Sequence, residues 1–145
     1  VPFQTSTEIT GTFRLIAWIA LDQPDTDFRI SIFEITAQGG SILLTFDLRR
    51  ARYRTSLRES ETLSLNEPQR YEFTGFNFVS RQLQRGSRLR LVIAPVNTTS
   101  RQKNYNTGGE VNEETAANAR PVRVTVFHDR AHPSVLFVPI GQPIA

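Results

Sequence analysis

The chain has 145 residues, 39% of them hydrophobic with ten Phe, and its 17 Lys+Arg against 14 Asp+Glu give a formal net charge of +3. That suits one domain with a buried core and argues against intrinsic disorder. The absence of Cys excludes disulfides, thiolate metal sites and thiol catalysis, and no apolar run approaches the roughly 18–20 residues of a bilayer-spanning helix.

Apolar residues alternate with a period of two along most of the chain, and no long stretch holds a 3.6-residue stripe. The first predicted strand covers residues 12–21, with Phe13, Leu15, Ala17 and Ile19 on one face and Arg14, Ile16, Trp18 and Ala20 on the other. A polar turn containing Asp22, Asp25 and Asp27 leads to a second strand over 28–35, where Phe28, Ile30 and Ile32 alternate with Arg29, Ser31 and Phe33. After Gly39-Gly40 a third strand runs from Ile42 to Leu48, and Leu63 with Leu65 marks a short fourth, stopped by Asn66 and Pro68. A fifth runs from Tyr71 to Val79, with Gly75 shifting its phase as a β-bulge would. Arg88–Ala94 is the sixth, ended by Pro95; Val122–Val126 is the seventh; Val135–Val138 is the eighth, closed by Pro139. Between Val96 and Arg120 lies a long loop with an expected helical turn around Glu113–Ala119. Eight unequal antiparallel strands predict an all-β jelly-roll sandwich spanning residues 1–145 as a single domain.

Sixteen of the 17 basic residues are Arg, which lifts the sequence pI to about 9.9. The cluster Arg49, Arg50, Arg52, Arg54 and Arg58 around Tyr53 has the residue types of a phosphate-tracking groove. A net +3 is weak for that use. The favoured reading lays these arginines along a sheet, paired with carboxylates such as Asp47, Glu59 and Glu61. Neither nucleic acid nor membrane is therefore an expected partner.

The inventory for catalysis is thin. His128, Asp129, His132 and Ser134 include all three residue types of a serine-hydrolase triad within one short stretch, but no G-x-S-x-G elbow is present and neighbouring side chains on a strand end diverge. The His-x-x-x-His spacing would suit a metal on a helix, which Pro133 opposes. The three aspartates Asp22, Asp25 and Asp27 could ligate calcium, although a polar turn that caps amides or meets an arginine is favoured. With no phosphate loop or dinucleotide fingerprint, no cofactor is expected. A sugar-binding use of the fold would draw on Trp18, Tyr53 and Tyr105 beside Asn104 and Asn106, although core packing of Trp18 on the second face of its strand is favoured. Asn97-Thr98-Thr99 matches a glycosylation sequon, a common pattern of little weight alone.

Five segments in register, LDQPDTDFRISIFEI, LRRARYRTSL, RGSRLRLVIAP, NYNTGG and VTVFHDRAHPSVLFVPI, together resemble the C-terminal non-catalytic domain of the X-Pro dipeptidyl-peptidase and cocaine esterase class of serine hydrolases. The matching positions are Asp27 and Phe28, then Arg52, Tyr53 and Arg54, then Gly86, Arg88, Leu89 and Arg90, then Asn106, Thr107 and Gly108, and finally His128, Pro133, Ser134 and Leu136. The sequence departs from that pattern at Ser87, where His is frequent, and over residues 96–103, which lack the usual Pro and aromatic residues. The resemblance implies a galactose-binding-like jelly roll that follows an α/β-hydrolase domain holding the catalytic triad. It further implies that this chain packs on that upstream domain, shapes its active-site cleft and contributes to homo-oligomer contacts, with Asp27 to Ser134 above as structural or inter-domain residues. The absence of Met throughout, position 1 included, fits the expectation of a piece of a longer or processed chain. A carbohydrate-binding module on the same fold is the alternative.

Overall fold

The computed structural model describes residues 1–141, so residues 142–145 of the expected domain lie outside the described residues. Among the described residues nine strands form three antiparallel groups: β1 (Thr7–Gly11), β2 (Arg14–Leu21), β3 (Asp27–Ile35), β4 (Ser41–Arg50), β5 (Gln69–Phe73), β6 (Val79–Leu83), β7 (Arg88–Pro95), β8 (Val124–Phe127) and β9 (Val135–Phe137). One sheet has the order β5-β2-β8 with β9 also on β2, a second the order β4-β3-β7, and β1 pairs with β6. The only helical pieces among the described residues are two 3-10 turns, Ala51–Tyr53 and Ala116–Asn118, the latter inside the turn expected near 113–119.

The alternation read from the sequence sets the core. Leu15, Ala17, Ile19 and Leu21 of β2, with Tyr71 and Phe73 beside them on β5, face Phe28, Ile30 and Ile32 of β3, all buried. Phe28 meets Tyr71 edge-on at 5.4 Å and Phe73 at 6.3 Å. Each fully buried Ile or Phe contributes about 1.5–3 kcal/mol by leaving water.

Several boundaries differ from expectation. β1 has only Ile9 buried, too little apolar signal to mark a strand. Leu63 and Leu65 form no strand, because Leu63 alone is buried and Leu65 is exposed. The predicted strand Tyr71–Val79 is two, β5 pairing with β2 and β6 pairing with β1, so the chain changes sheets between them. Gly75 is therefore no bulge. A Cβ there would lie 2.6 Å from Asp47 Oδ1, and its N–H donates to Asp47 Oδ2 at 2.8 Å. The register shift occurs instead between β3 and β4, at Ile32/Phe33.

β8 and β9 lie end to end on one side of β2, residues 124–127 opposite 21–18 and residues 135–137 opposite 16–14. They make one strand interrupted by residues 128–134. The Ser134 hydroxyl bridges the break, donating to the Phe127 carbonyl and accepting from the Trp18 N–H at 2.9 Å.

Candidate functional site

That bridge decides the chemistry of the His-Asp-Ser stretch. Ser134 Oγ is held by two backbone groups, and Asp129 Oδ1 accepts the N–H groups of Ala131 and His132 at 2.8 and 2.9 Å. These bonds, first that from His132, hold the Asp129 carboxyl below the usual carboxylate range. His132 stacks its ring edge on Trp18 at 5.1 Å, and among the described residues no hydrogen bond joins exposed His128 to Asp129 or Ser134. The stretch is a strand interruption closed by an Asx turn.

The richest polar arrangement lies where β3 begins and β4 ends. Asp27 and Arg50 are opposite each other in the ladder, and Arg50 donates from Nε and Nη2 to both Asp27 oxygens at 2.8 and 3.1 Å. Asp25 is wholly buried just before β3. Its Oδ1 accepts the Arg52 N–H at 3.0 Å, and its Oδ2 lies 3.3 Å from Arg52 Nε. Asn104 donates through Nδ2 to Asp25 at 2.9 Å and to Asp27 at 3.0 Å. Burial pushes the Asp25 carboxyl above its ordinary value, against the pull of the Arg52 N–H, Asn104 and the Arg52 charge.

Arg52 then reaches the long loop, donating from Nη1 to the carbonyls of Gly108 and Gly109 at 3.1 and 3.0 Å. Gly108 has φ +80°, and a Cβ would meet Pro24 Cβ at 2.8 Å, so glycine is required. Asn106, at φ 68°, donates from Nδ2 to the Arg120 carbonyl at 2.7 Å. Three of the five sequence segments, carrying Asp27, Arg52 and Asn106 to Gly108, thus meet at one node that fastens the long loop to the sandwich. Tyr53 and Arg54 flank it, with Arg54 bound to Glu61 at 2.7 Å.

The other two segments lie elsewhere. Gly86, at φ +89°, forms the turn before β7, and the neighbouring Ser87 donates to buried Glu34 Oε1 at 2.9 Å while Arg81 holds Glu34 Oε2 at 2.5 Å. Arg88 and Arg90 project from the outer face of β7, exposed. His128, Pro133 and Ser134 belong to the strand interruption already described.

Most of the arginine cluster is thus tied inward, as expected: Arg54 pairs with Glu61, one of the expected carboxylates, while Arg50 and Arg52 pair with Asp25 and Asp27 rather than with Asp47 or Glu59. Asp47 instead caps backbone. Asp22 accepts the Arg123 N–H at 2.7 Å, apart from Asp25 and Asp27 in its bonding, and among the described residues no three His, Asp or Glu side chains form a metal-ligand group. Glu34 is not singled out from the sequence, and Asp47 enters there only as a partner for the arginines. The signal for Glu34 is present, since it is an acid in the inward phase of an otherwise apolar alternation after Phe28, Ile30 and Ile32, whereas the inward phase around Asp47 is polar throughout, with Thr45 and Arg49.

A family model described as the X-Pro dipeptidyl-peptidase C-terminal non-catalytic domain matches residues 1–136. Among solved structures, an alpha-amino acid ester hydrolase superposes with TM-score 0.87 at 17% identity, over 97% of this chain and 24% of that one. An aminopeptidase from a marine sediment Thaumarchaeota archaeon gives TM-score 0.90 at 16% identity, over 98% of this chain and 25% of that one. A CocE/NonD family hydrolase from Staphylococcus aureus gives 0.73 at 16% identity, over 98% and 30%. The chain thus spans less than a third of the length of these structures, and the likeness is one of fold. A search of curated proteins finds no match.

Proposed function

The chain belongs to the X-Pro dipeptidyl-peptidase C-terminal non-catalytic domain family, and from that premise we propose that it serves as an appended module of a serine hydrolase acting on X-Pro peptides or acyl esters. In this reading residues 1–145 are one domain, the bond-breaking residues sit in an upstream α/β-hydrolase domain, and the module packs on that domain, borders its active-site cleft and adds to contacts between subunits. The residues from Asp27 to Ser134 shared with the family then act by holding the module's shape.

One observation carries the packing. The outward face of the β2 sheet carries Ile16, Trp18, Phe127, Val135 and Phe137 side by side, with Val135 and Phe137 each 42% exposed. A largely apolar face of this kind, crossed by Arg14 over the Phe137 ring at 4.1 Å, is what an interface within a longer chain leaves on one partner. The carbohydrate reading is less well supported, because each aromatic it needs already carries another side chain: His132 on Trp18, Arg52 at 5.8 Å from Tyr53 and Lys103 at 5.6 Å from Tyr105.

The test compares this chain with its parent for hydrolysis of a chromogenic ester and an X-Pro anilide, with and without a serine-directed inhibitor. Inhibitor-sensitive turnover by the parent alone is expected, and the preferred substrate assigns peptidase or esterase. Turnover by this chain alone would overturn the reading. In the parent, Phe137→Asp should lower activity and expose the junction to protease, whereas Phe78→Asp, on a different exposed residue, should do neither.

A further inference from the structure

A pocket of about 500 Å³ opens where the edges of β4 and β5 approach, lined by Arg49, Arg54, Arg70, Glu72, Thr55 and Thr74. Of its three guanidinium groups, Arg70 is already paired with the one carboxylate, Glu72, at 2.9 Å, and Arg14 holds the other Glu72 oxygen at 3.0 Å, so that carboxylate serves neither Arg49 nor Arg54. Arg54 spends Nη2 on Glu61 at 2.7 Å, yet its Nη1 is buried with no partner among the described residues. Arg49 meets no carboxylate there. It makes two long bonds, to the carbonyls of Tyr53 at 3.4 Å and Glu72 at 3.3 Å, and its Nε is buried without an acceptor.

Buried donors without acceptors are costly, and guanidinium forks match the planar or tetrahedral oxygens of carboxylate and phosphate. We infer that this pocket binds a small oxyanion, held by Arg49 and Arg54 at the seam between β4 and β5. A dissolved phosphate species and a carboxylate side chain from another part of the parent share the required chemistry. The inference stands independently of the docking face, which lies on β2, β8 and β9.

Thermal melting of the full chain, with inorganic phosphate or acetate added and ionic strength held constant with chloride, tests it. A saturating rise in Tm is expected for at least one of the two. Arg49→Gln should weaken that binding about ten-fold, and Arg58→Gln, at an exposed residue outside the pocket, should leave it unchanged. Phosphate binding tighter than acetate assigns a dissolved phosphate; acetate equal or tighter assigns a carboxylate side chain. Because Arg49→Gln could loosen the fold, Thr74→Glu provides a second arm. A carboxylate supplied from the lining itself should raise Tm without added anion and remove the response to phosphate. A flat response to both anions, a response untouched by Arg49→Gln in a folded variant, or a Thr74→Glu chain that melts below wild type overturns the inference.

Discussion

Between β4 and β5 the sandwich is laced by polar side chains, whereas between β7 and β8 it is left as an apolar groove. On the laced side, three inward residues of β4 at successive alternate positions take hold of the end of β5 and of the segment that carries the chain on to β6. Arg49 donates to the Glu72 carbonyl, Asp47 accepts the Gly75 N–H at 2.8 Å, and Thr45 donates to the Asn77 carbonyl at 3.2 Å. On the other side, Ile93 and Pro95 of β7 face Val122, Val124 and Val126 across a groove of about 290 Å³, with Val124 and Val126 still 39% and 38% exposed. Hydrogen bonds fix a segment's position because they are directional; apolar contact fixes only that surfaces meet. The contrast teaches that the laced side defines the path of the chain between sheets, while the apolar side contributes a modest share of burial.

If so, substitutions on the laced side should cost far more than those on the groove. The largest loss is expected for Gly75→Ala, whose new Cβ would fall 2.6 Å from Asp47 Oδ1 and drive the chain off its buried acceptor. Urea melts should show a loss of about 3 kcal/mol. Arg52→Ala, at the end of the same strand edge, frees buried Asp25 and two loop carbonyls and should cost about 2–3 kcal/mol, with faster proteolysis within residues 96–120. Melting unchanged by Arg52→Ala would break the node as an anchor. Thr45→Val keeps the shape and deletes one bond, for about 1 kcal/mol. Val124→Thr in the groove should cost about 0.5 kcal/mol or less, since that residue is already partly in water. A loss at Val124 as large as that at Gly75 would erase the distinction between the two sides.

The smallest effect concerns pH. Asp25 holds its proton more tightly in the folded chain than an ordinary carboxyl does, so between its ordinary and raised pKa the folded state binds more protons. The Asp25 contribution is thus fully present below the ordinary carboxylate value and is lost as pH rises through the raised one. Asp25→Asn should flatten this part of the stability profile, measured by melting across the acidic range.

The sequence disclosed what depends on periodicity and hid what depends on partners. β2, β3, β4 and β7 were legible because apolar residues alternate cleanly along them. The run from Tyr71 to Val79 misled because the phase shift at Gly75 reads as a bulge within one strand, although the hydrogen-bond partner changes from β2 to β1. In the same way, the arginine cluster showed its tendency to pair with acids but not which acids. Asp25 and Asp27 lie more than twenty residues away in sequence and meet Arg50 and Arg52 only through the β3–β4 register. Asn104 joins them from the long loop, where the sequence marked it within NYNTGG but not as a partner of aspartates.

The break between β8 and β9 has a consequence for how molecules of this kind coexist at high concentration. The far side of these strands forms a rim of the β2 sheet, where unpaired amides and carbonyls would otherwise invite a strand from a neighbouring molecule to add on. Divided into runs of four and three residues, with Pro133 in the gap and Pro139 soon after, that rim offers no uninterrupted template. Ser134, which stitches the gap from within, lets the sheet keep its internal registry while denying outsiders a straight edge to copy, a guard against amyloid-like growth.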